Sequence, residues 1–134
     1  MNYLSINKAL RAHLLADAEI VLVVVPSEFC RAVYRQAGGL APEGAVFVSA
    51  TKGLEIDTLQ RMSEVAGAEA PGRPLAVLSG PSFALEVAKG LPTAVVVASA
   101  DHAVAERAQR ALATRAFRVY SSQDVVGVEL AGAL

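Results

Sequence analysis

Runs of β-branched residues alternate along the chain with stretches whose apolar residues recur at helical spacing. The first run, residues 20–25, is unbroken and stops at Pro26, which is typical of a strand buried on both faces of a parallel sheet. In the next stretch Phe29, Val33 and Ala37 recur every four residues, and a pair of glycines follows. This pattern predicts a short amphipathic helix with a glycine stop, so that the first unit is a strand followed by a helix.

The same alternation continues along the rest of the chain. Further strands are predicted at residues 45–50, 75–78, 93–98 and 117–120. Between them, helices are indicated by two apolar stripes, which consist of Leu59, Met62 and Ala66 and of Val104, Ala108 and Leu112, the second stripe following a capping residue, Asp101. Strands that alternate with helices at this spacing predict an α/β fold with a doubly wound (Rossmann-like) parallel sheet.

One helix has especially clear boundaries in the sequence. Ser82 has the side chain of a good N-cap, and a helix is predicted over residues 83–89. Gly90 is suited to the position just after the helix, and Pro92 prevents its continuation.

The two ends of the chain indicate that the sheet is incomplete. Residues 7–18 are predicted to form a helix, but no strand and no Gly-x-Gly-x-x-Gly turn precede it. Residues 124–134 begin another apolar helix without a capping residue at its end. We therefore expect residues 1–123 to be a partial dinucleotide-binding domain that lacks its opening Gly-rich unit, and residues 124–134 to be the start of a helical C-terminal domain.

Composition and charge exclude several classes of partner. The 134-residue chain is 54% hydrophobic and carries 12 basic and 13 acidic residues, so it lacks the basic surface that nucleic-acid binding requires. Its apolar runs are far shorter than the roughly 20 residues of a membrane-spanning helix, and no signal peptide is recognisable, so a cytoplasmic location is expected. Cys30 has no second cysteine to pair with, and with His13 and His102 it forms no metal-ligand pattern. Cys30 is expected to be a small, packed residue that belongs to a helix.

In doubly wound sheets ligands bind at the carboxyl ends of the strands, so the loops after the strands are the candidate sites. The second of these loops contains Lys52 and Gly53, which would present a cation and an approachable backbone to a phosphate or a carbonyl group. A solvated surface lysine would give the same pattern. The third loop, residues 79–82, combines small and flexible residues with a hydroxyl, which suits an anionic ligand but equally suits a plain turn. Phe29 is either a core residue or a ligand contact.

The charged residues Glu86, Lys89 and Glu129 are most simply surface or ion-paired residues. No Ser/His/Asp or Cys/His arrangement is present. The residues alone therefore predict an anion-binding edge of an α/β sheet and do not identify a reaction.

Six motifs together resemble the bacterial type of NAD(P)-dependent glycerol-3-phosphate dehydrogenase in order and spacing. They read VVPS at 24–27, ATKGLE at 50–55, LSGPSFA at 78–84, EVA at 86–88, GLPTA at 90–94 and GVELAGAL at 127–134. The resemblance implies an oxidoreductase that uses NAD or NADP to interconvert dihydroxyacetone phosphate and sn-glycerol 3-phosphate, which supplies phospholipid synthesis. It also implies a homodimer for the full-length protein.

The resemblance also assigns roles to individual residues. It implies that Lys52, Gly80 and Ser82 bind the substrate, and that Phe29, Lys52 and Ala84 bind the cofactor. It implies no catalytic residue within the chain, because the family's general-acid lysine would follow Leu134, and the isolated chain is expected to be inactive. Two alternatives remain, a non-catalytic remnant or interaction module and another dehydrogenase of the 6-phosphogluconate-like group.

Overall fold

The computed structural model describes the backbone of residues 8–133 and the side chains of residues 12–133. Along that range the elements are α1 (Lys8–Leu15), β1 (Ile20–Val23), α2 (Ser27–Gly38), β2 (Val46–Ser49), α3 (Met62–Glu69), β3 (Leu75–Ser79), α4 (Ala84–Ala88), β4 (Thr93–Ala98), α5 (His102–Leu112), β5 (Phe117–Ser122) and α6 (Val125–Ala133). The predicted alternation of strands and helices is confirmed. Asn7 and Leu134, which were predicted to belong to the first and last helices, lie outside the described residues.

The five strands form one sheet in the order β1-β2-β3-β4-β5. β1 pairs in parallel with β2, β2 with β3, and β4 with β5, whereas β3 and β4 are antiparallel. The α/β, Rossmann-like fold class is confirmed, but the expectation of parallel pairing throughout is wrong at β3 and β4. A parallel connection needs a crossover that spans the sheet, and α4, with only 5 residues, is too short to provide one. The chain therefore reverses direction at this point.

Helices cover both faces of the sheet. On one face α2 and α3 bury a core that includes Tyr34, Phe47 and Met62. On the opposite face α5 covers a second core of short apolar residues, among them Val48 and Val97. Cys30 is fully buried in the first of these cores, as predicted. The continuous apolar runs of the sequence are thus explained by strands that are covered on both sides.

The last helix, α6, packs against β3. It lies on the same face as α2 and α3, because Ser79, which alternates with Leu75 and Val77 along β3, meets Gly132 of α6. The division of the chain at residue 123 into two domains stays a prediction.

The predicted helix boundaries hold at several positions. Asp101 caps α5 by accepting a hydrogen bond from the backbone N–H of Ala103 at 2.9 Å. Gly90 adopts a φ of 70° directly after Lys89, the C-cap of α4, as a glycine stop requires. Within residues 8–133 no helix is both long enough and apolar enough to cross a membrane.

The prediction that Leu59 lies on the buried face of α3 is wrong. The helix begins at Met62, and Leu59 is 70% exposed in the preceding loop, where it has a φ of 56°. The cause is an isolated bridge between Leu54 and Arg61, which folds the intervening residues into a narrow loop and places Leu59 near its tip. An apolar residue at helical spacing was therefore misleading here.

The prediction that Ser82 caps α4 is also wrong. The helix begins at Ala84, and no side chain caps it. The backbone N–H of Ser82 donates to the carbonyl oxygen of Gly80 at 2.8 Å, so Ser82 belongs to the turn that leaves β3. The turn therefore removes Ser82 from the capping position, and the helix begins one residue later than predicted.

Candidate functional site

The loops after β1, β2 and β3 meet at one edge of the sheet, where parallel strands bring their carboxyl ends together. Thr51 Oγ1 donates a hydrogen bond of 2.7 Å to the carbonyl oxygen of Val25, which joins the first loop to the second. Lys52 Nζ donates a hydrogen bond of 3.1 Å to the carbonyl oxygen of Gly80, which joins the second loop to the third. We call this edge, formed by residues 25–29, 50–53 and 79–82, the rim.

Lys52 supplies the charge of the rim. Its side chain is exposed, and its bond to a carbonyl oxygen leaves two further ammonium donors for a ligand. The next residue, Gly53, has a φ of 97°, and apart from its two chain neighbours nothing lies within 4 Å of the place where a Cβ would be. The backbone beside the cation is therefore open to a bound molecule.

Gly80 is required by the close packing of the rim against β4. It has a φ of 154°, and a Cβ at this position would lie 2.9 Å from the carbonyl oxygen of Ala94 and 3.0 Å from the Cα of Val95. Both neighbours are backbone atoms, so neither can move aside at low cost. Only glycine fits where the chain leaves β3 and passes over the start of β4.

Of the other predicted site residues, Ser82 contacts Gly80, whereas Phe29 and Ala84 lie on the helices that follow β1 and β3 and do not line the cleft beside Lys52. The half-buried Ser82 sits two residues after Gly80, with its Oγ 3.4 Å from the Gly80 carbonyl oxygen. Ala84 is the exposed first residue of α4. Phe29 is half-buried in the first turn of α2, beside Cys30, whose Sγ donates to Thr51 Oγ1 at 3.3 Å. Burial raises the pKa of the Cys30 thiol.

A cleft of about 850 Å³ opens beside Lys52 and Gly80. Its opposite wall includes the exposed Tyr120 on β5 and four small or apolar residues of α6, which are Gly127, Val128, Ala131 and Gly132. The sequence predictions did not connect this wall with the rim. The only signal for α6 was its motif of small residues, and nothing marked Tyr120, because its place depends on the reversal at β4.

The loop that carries Lys52 is held by a group of ion pairs. Arg31 on α2 binds both carboxylate oxygens of Glu55, at 2.8 and 2.7 Å, and also reaches Glu69 at the end of α3, at 2.6 Å. The same guanidinium donates to Gln60 at 2.8 Å. The guanidinium of Arg31 lowers the pKa of Glu55 to about 2, helped by the hydroxyl of Thr58. This charged group fixes the loop against two helices.

The fold and the rim together define a class of protein. A largely parallel α/β sheet, covered by helices on both faces, presents a cation and glycine turns at the carboxyl ends of its strands, which is the arrangement of nucleotide-binding dehydrogenase domains. Comparison with known proteins identifies the family within this class.

The chain belongs to the family described as "NAD-dependent glycerol-3-phosphate dehydrogenase N-terminus", whose sequence profile matches residues 4–105. A glycerol-3-phosphate dehydrogenase [NAD(P)+] of Rhodospirillum rubrum is 54% identical over 123 residues, which are 92% of this chain and 35% of that protein. The protein of the same name from Rhizobium etli is 43% identical over 130 residues, 97% of this chain and 40% of that protein. The chain thus spans little more than a third of the length of these relatives.

Solved structures agree with the family. The crystal structure of a glycerol-3-phosphate dehydrogenase from Coxiella burnetii superposes with a TM-score of 0.81 and 36% identity, over 90% of this chain and 37% of that one. A ketopantoate reductase from Ralstonia eutropha superposes with a TM-score of 0.63 and 16% identity, over 90% of this chain and 39% of that one, which shows the fold alone. Membership in the glycerol-3-phosphate dehydrogenase family excludes the 6-phosphogluconate-like alternative.

Proposed function

We propose that the chain forms part of an NAD(P)-dependent dehydrogenase that interconverts dihydroxyacetone phosphate and sn-glycerol 3-phosphate, and that its rim contacts both substrate and cofactor. The observation that carries the proposal is the hydrogen bond between Lys52 Nζ and the carbonyl oxygen of Gly80 at 3.1 Å. It brings the cation of one strand end to the glycine turn of the next, at the edge of the sheet where such domains bind ligands.

The residues of the rim suit a phosphorylated triose. The ammonium group of Lys52 offers donors to oxygens of the substrate, and Gly80 places its backbone within hydrogen-bond distance of that ammonium group. The hydroxyl of Ser82 can donate to the same ligand by turning away from the Gly80 carbonyl oxygen, a contact of only 3.4 Å that is easily exchanged. These three residues form the proposed substrate site.

The residues present also fit one end of a nicotinamide cofactor. The open backbone at Gly53, where only the two chain neighbours lie within 4 Å of an added Cβ, leaves room for a flat ring beside Lys52. Phe29, in the first turn of α2, and Ala84, at the start of α4, are the proposed apolar contacts of that ring. NAD(P)H supplies the hydride that reduces the substrate carbonyl. In this proposal Lys52 and Gly80 orient the substrate carbonyl. No residue of the chain is assigned as the proton donor.

Isothermal titration calorimetry of the 134-residue chain with glycerol 3-phosphate, in the presence of NADH, tests the proposal. Loss of a charge-assisted hydrogen bond costs roughly 1.5–3 kcal/mol, so Lys52→Ala is expected to weaken binding by about 10-fold or more. Lys89→Ala is the matched control, because Lys89 is also an exposed lysine, at the C-cap of α4, and it should leave the affinity within about 2-fold.

Two results would contradict the proposal. Equal affinity of Lys52→Ala and wild type would remove Lys52 from the site. Absence of heat from the wild-type chain at millimolar ligand would contradict a ligand site formed by the rim and would favour the alternative of a non-catalytic interaction module. The absence of nucleic-acid binding, a cytoplasmic location, homodimer formation by the full-length protein and inactivity of the isolated chain stay predictions. They are open to binding, fractionation, sedimentation and turnover measurements.

A further inference from the structure

The carboxylate of Glu129, on α6, is bound at the start of α3 by three donors. The backbone N–H of Ser63 donates to one oxygen at 2.8 Å, and the other oxygen accepts from Ser63 Oγ at 2.6 Å and from Arg61 Nη1 at 2.9 Å. The side chain of Glu129 is only 11% exposed. A carboxylate at a helix N-terminus, with a guanidinium beside it, is a strong and directional contact.

This contact connects α6 to the loop that carries Lys52. Arg61 bridges to Leu54, two residues after Lys52, and it directly precedes α3. The carboxylate of Glu129 therefore binds the residues that close the Lys52 loop. Within residues 8–133, no other side chain of α6 forms a hydrogen bond or an ion pair with another element, so Glu129 is the polar anchor of this helix.

At its other end α6 approaches the rim by close packing alone. A Cβ at Gly132 would overlap Ser79 Oγ, and Ser79 immediately precedes Gly80. Contacts therefore run around the cleft from Lys52 to Gly80, from Ser79 to α6, and from Glu129 back to the Lys52 loop. Glu129 is the ionic link that closes this ring.

Glu129 does not itself line the cleft. The described α6 residues that do are Gly127, Val128, Ala131 and Gly132, which share one side of the helix at spacings of three and four residues. Glu129 extends toward α3 instead. Any effect of Glu129 on a ligand in the cleft must therefore be transmitted through the position of α6.

We infer that Glu129 is a positioning residue of the proposed ligand site, which holds α6 as the wall of the cleft opposite Lys52. The inference rests on the proposed function, since it assigns that wall to the same ligand. Without the anchor, α6 would keep only its apolar and backbone packing on β3 and β4. Because Val126 and Leu130 are 47% and 44% exposed, that packing is partial, and the distance from α6 to the rim would no longer be fixed.

The test compares Glu129→Ala with Glu64→Ala by hydrogen exchange and by calorimetry with glycerol 3-phosphate and NADH. Glu64 is a matched control, because its carboxylate also binds Arg61, through both the guanidinium and the backbone N–H at the N-cap of α3, but has no described hydrogen bond or ion pair to α6. We expect Glu129→Ala to raise the exchange of the amides of residues 125–133 about 10-fold and to weaken ligand binding by a similar factor. Glu64→Ala should change both by less than about 2-fold. Glu129→Gln, which keeps an acceptor for Ser63, should recover part of the affinity.

A milder variant keeps the test decisive if Glu129→Ala folds poorly. Ser63→Ala removes one of the three donors and should shift both measurements in the same direction by a smaller factor. The inference is overturned if α6 exchanges no faster in Glu129→Ala than in Glu64→Ala, or if ligand affinity is unchanged while Lys52→Ala loses it. A wild-type chain that binds no ligand would contradict the proposed function, whereas faster α6 exchange in Glu129→Ala would still support the anchor.

Discussion

The loop after β2 and the segment after β3 both carry residues of the proposed site, but they are held in different ways. The first loop, residues 50–61, is bound by the side chains of two helices, chiefly through Arg31 and its contacts with Glu55 and Gln60. The second segment, residues 80–92, is held by hydrogen bonds among its own backbone groups and by the bond from Lys52 to Gly80. In the described part of the chain, no side chain of residues 81–92 forms an ion pair.

The charged residue of the rim and its glycine turn are therefore held by different kinds of contact. The cation is carried by the loop with many side-chain contacts, so its position is fixed by helices that also form the core. The glycine turn is carried by a segment whose apolar side chains face solvent, including Phe83 and Leu85 at 68% and 66% exposure. Segments with few buried contacts open more easily than the core. We therefore expect the rim to have one rigid side and one compliant side.

The largest expected effect is that of Gly80→Ala. An added Cβ would lie 2.9 Å from the carbonyl oxygen of Ala94 and 3.0 Å from the Cα of Val95, and such overpacking against backbone costs about 2 kcal/mol or more of unfolding free energy. Urea denaturation measures this loss. Leu85→Ala, on the same segment but exposed, is the control and should change stability by less than about 0.5 kcal/mol. Equal stabilities of the two variants would show that the segment is compliant even at the turn.

The second prediction concerns the clamp on the Lys52 loop, by which we mean the bonds from Arg31 to Glu55, Glu69 and Gln60. Arg31→Ala removes the donors that bind Glu55 and Gln60, so the amides of residues 55–61 should exchange about 10-fold faster, while those of residues 84–91 should be unaffected. Hydrogen exchange read by mass spectrometry checks both segments in one experiment. Arg35→Ala is the control, since Arg35 is more exposed and its side chain contacts Glu69 alone. The same exchange rate at residues 55–61 in both variants would contradict a clamp centred on Arg31.

The smallest expected effect is the response of the clamp to acid. Arg31 lowers the folded-state pKa of Glu55 to about 2, and Arg35, with Arg31, lowers that of Glu69 to about 2, whereas an unfolded glutamate titrates near 4.3. Because the folded-state values are depressed, the stabilisation is complete above about pH 5 and is lost as the pH falls toward 2. The difference in urea midpoint between wild type and Arg31→Ala should shrink over that window. A constant difference from pH 7 to pH 2.5 would show that the pairs contribute nothing through charge.

Much of the fold followed from local patterns, and the failures have a common cause. The unbroken apolar runs predicted the strands, and parallel pairing of the first three predicted that Lys52 and Gly80 would share an edge. Ser82 was misplaced because its side chain suits an N-cap, and Leu59 because it is apolar at helical spacing. In both cases contacts of the adjoining turns took precedence. Propensity is a weak preference that a single well-packed turn overrides.

The site also has one part that local sequence patterns predicted and one part that they did not. Its cation and glycine turn stand next to strand ends, where a short-range pattern locates them. The opposite wall, with Tyr120 and α6, arises because β4 runs antiparallel to β3 and so brings the end of the chain back across the sheet. Glu129 could be recognised in the sequence only as a surface or ion-paired residue, since its partners Arg61 and Ser63 lie 68 and 66 residues away.

The sequence by itself determined the order of strands and helices, the glycine and lysine positions at the strand ends, and the family. Those features depend on periodicity and on residues that are close together in the chain. The direction of β4, the cleft between the rim and α6, and the anchoring of Glu129 at α3 were decided by the tertiary structure alone. They depend on which distant segments pack together. That packing is decided in the folded chain, by whether a short connection can span the sheet and by whether a buried charge finds a partner.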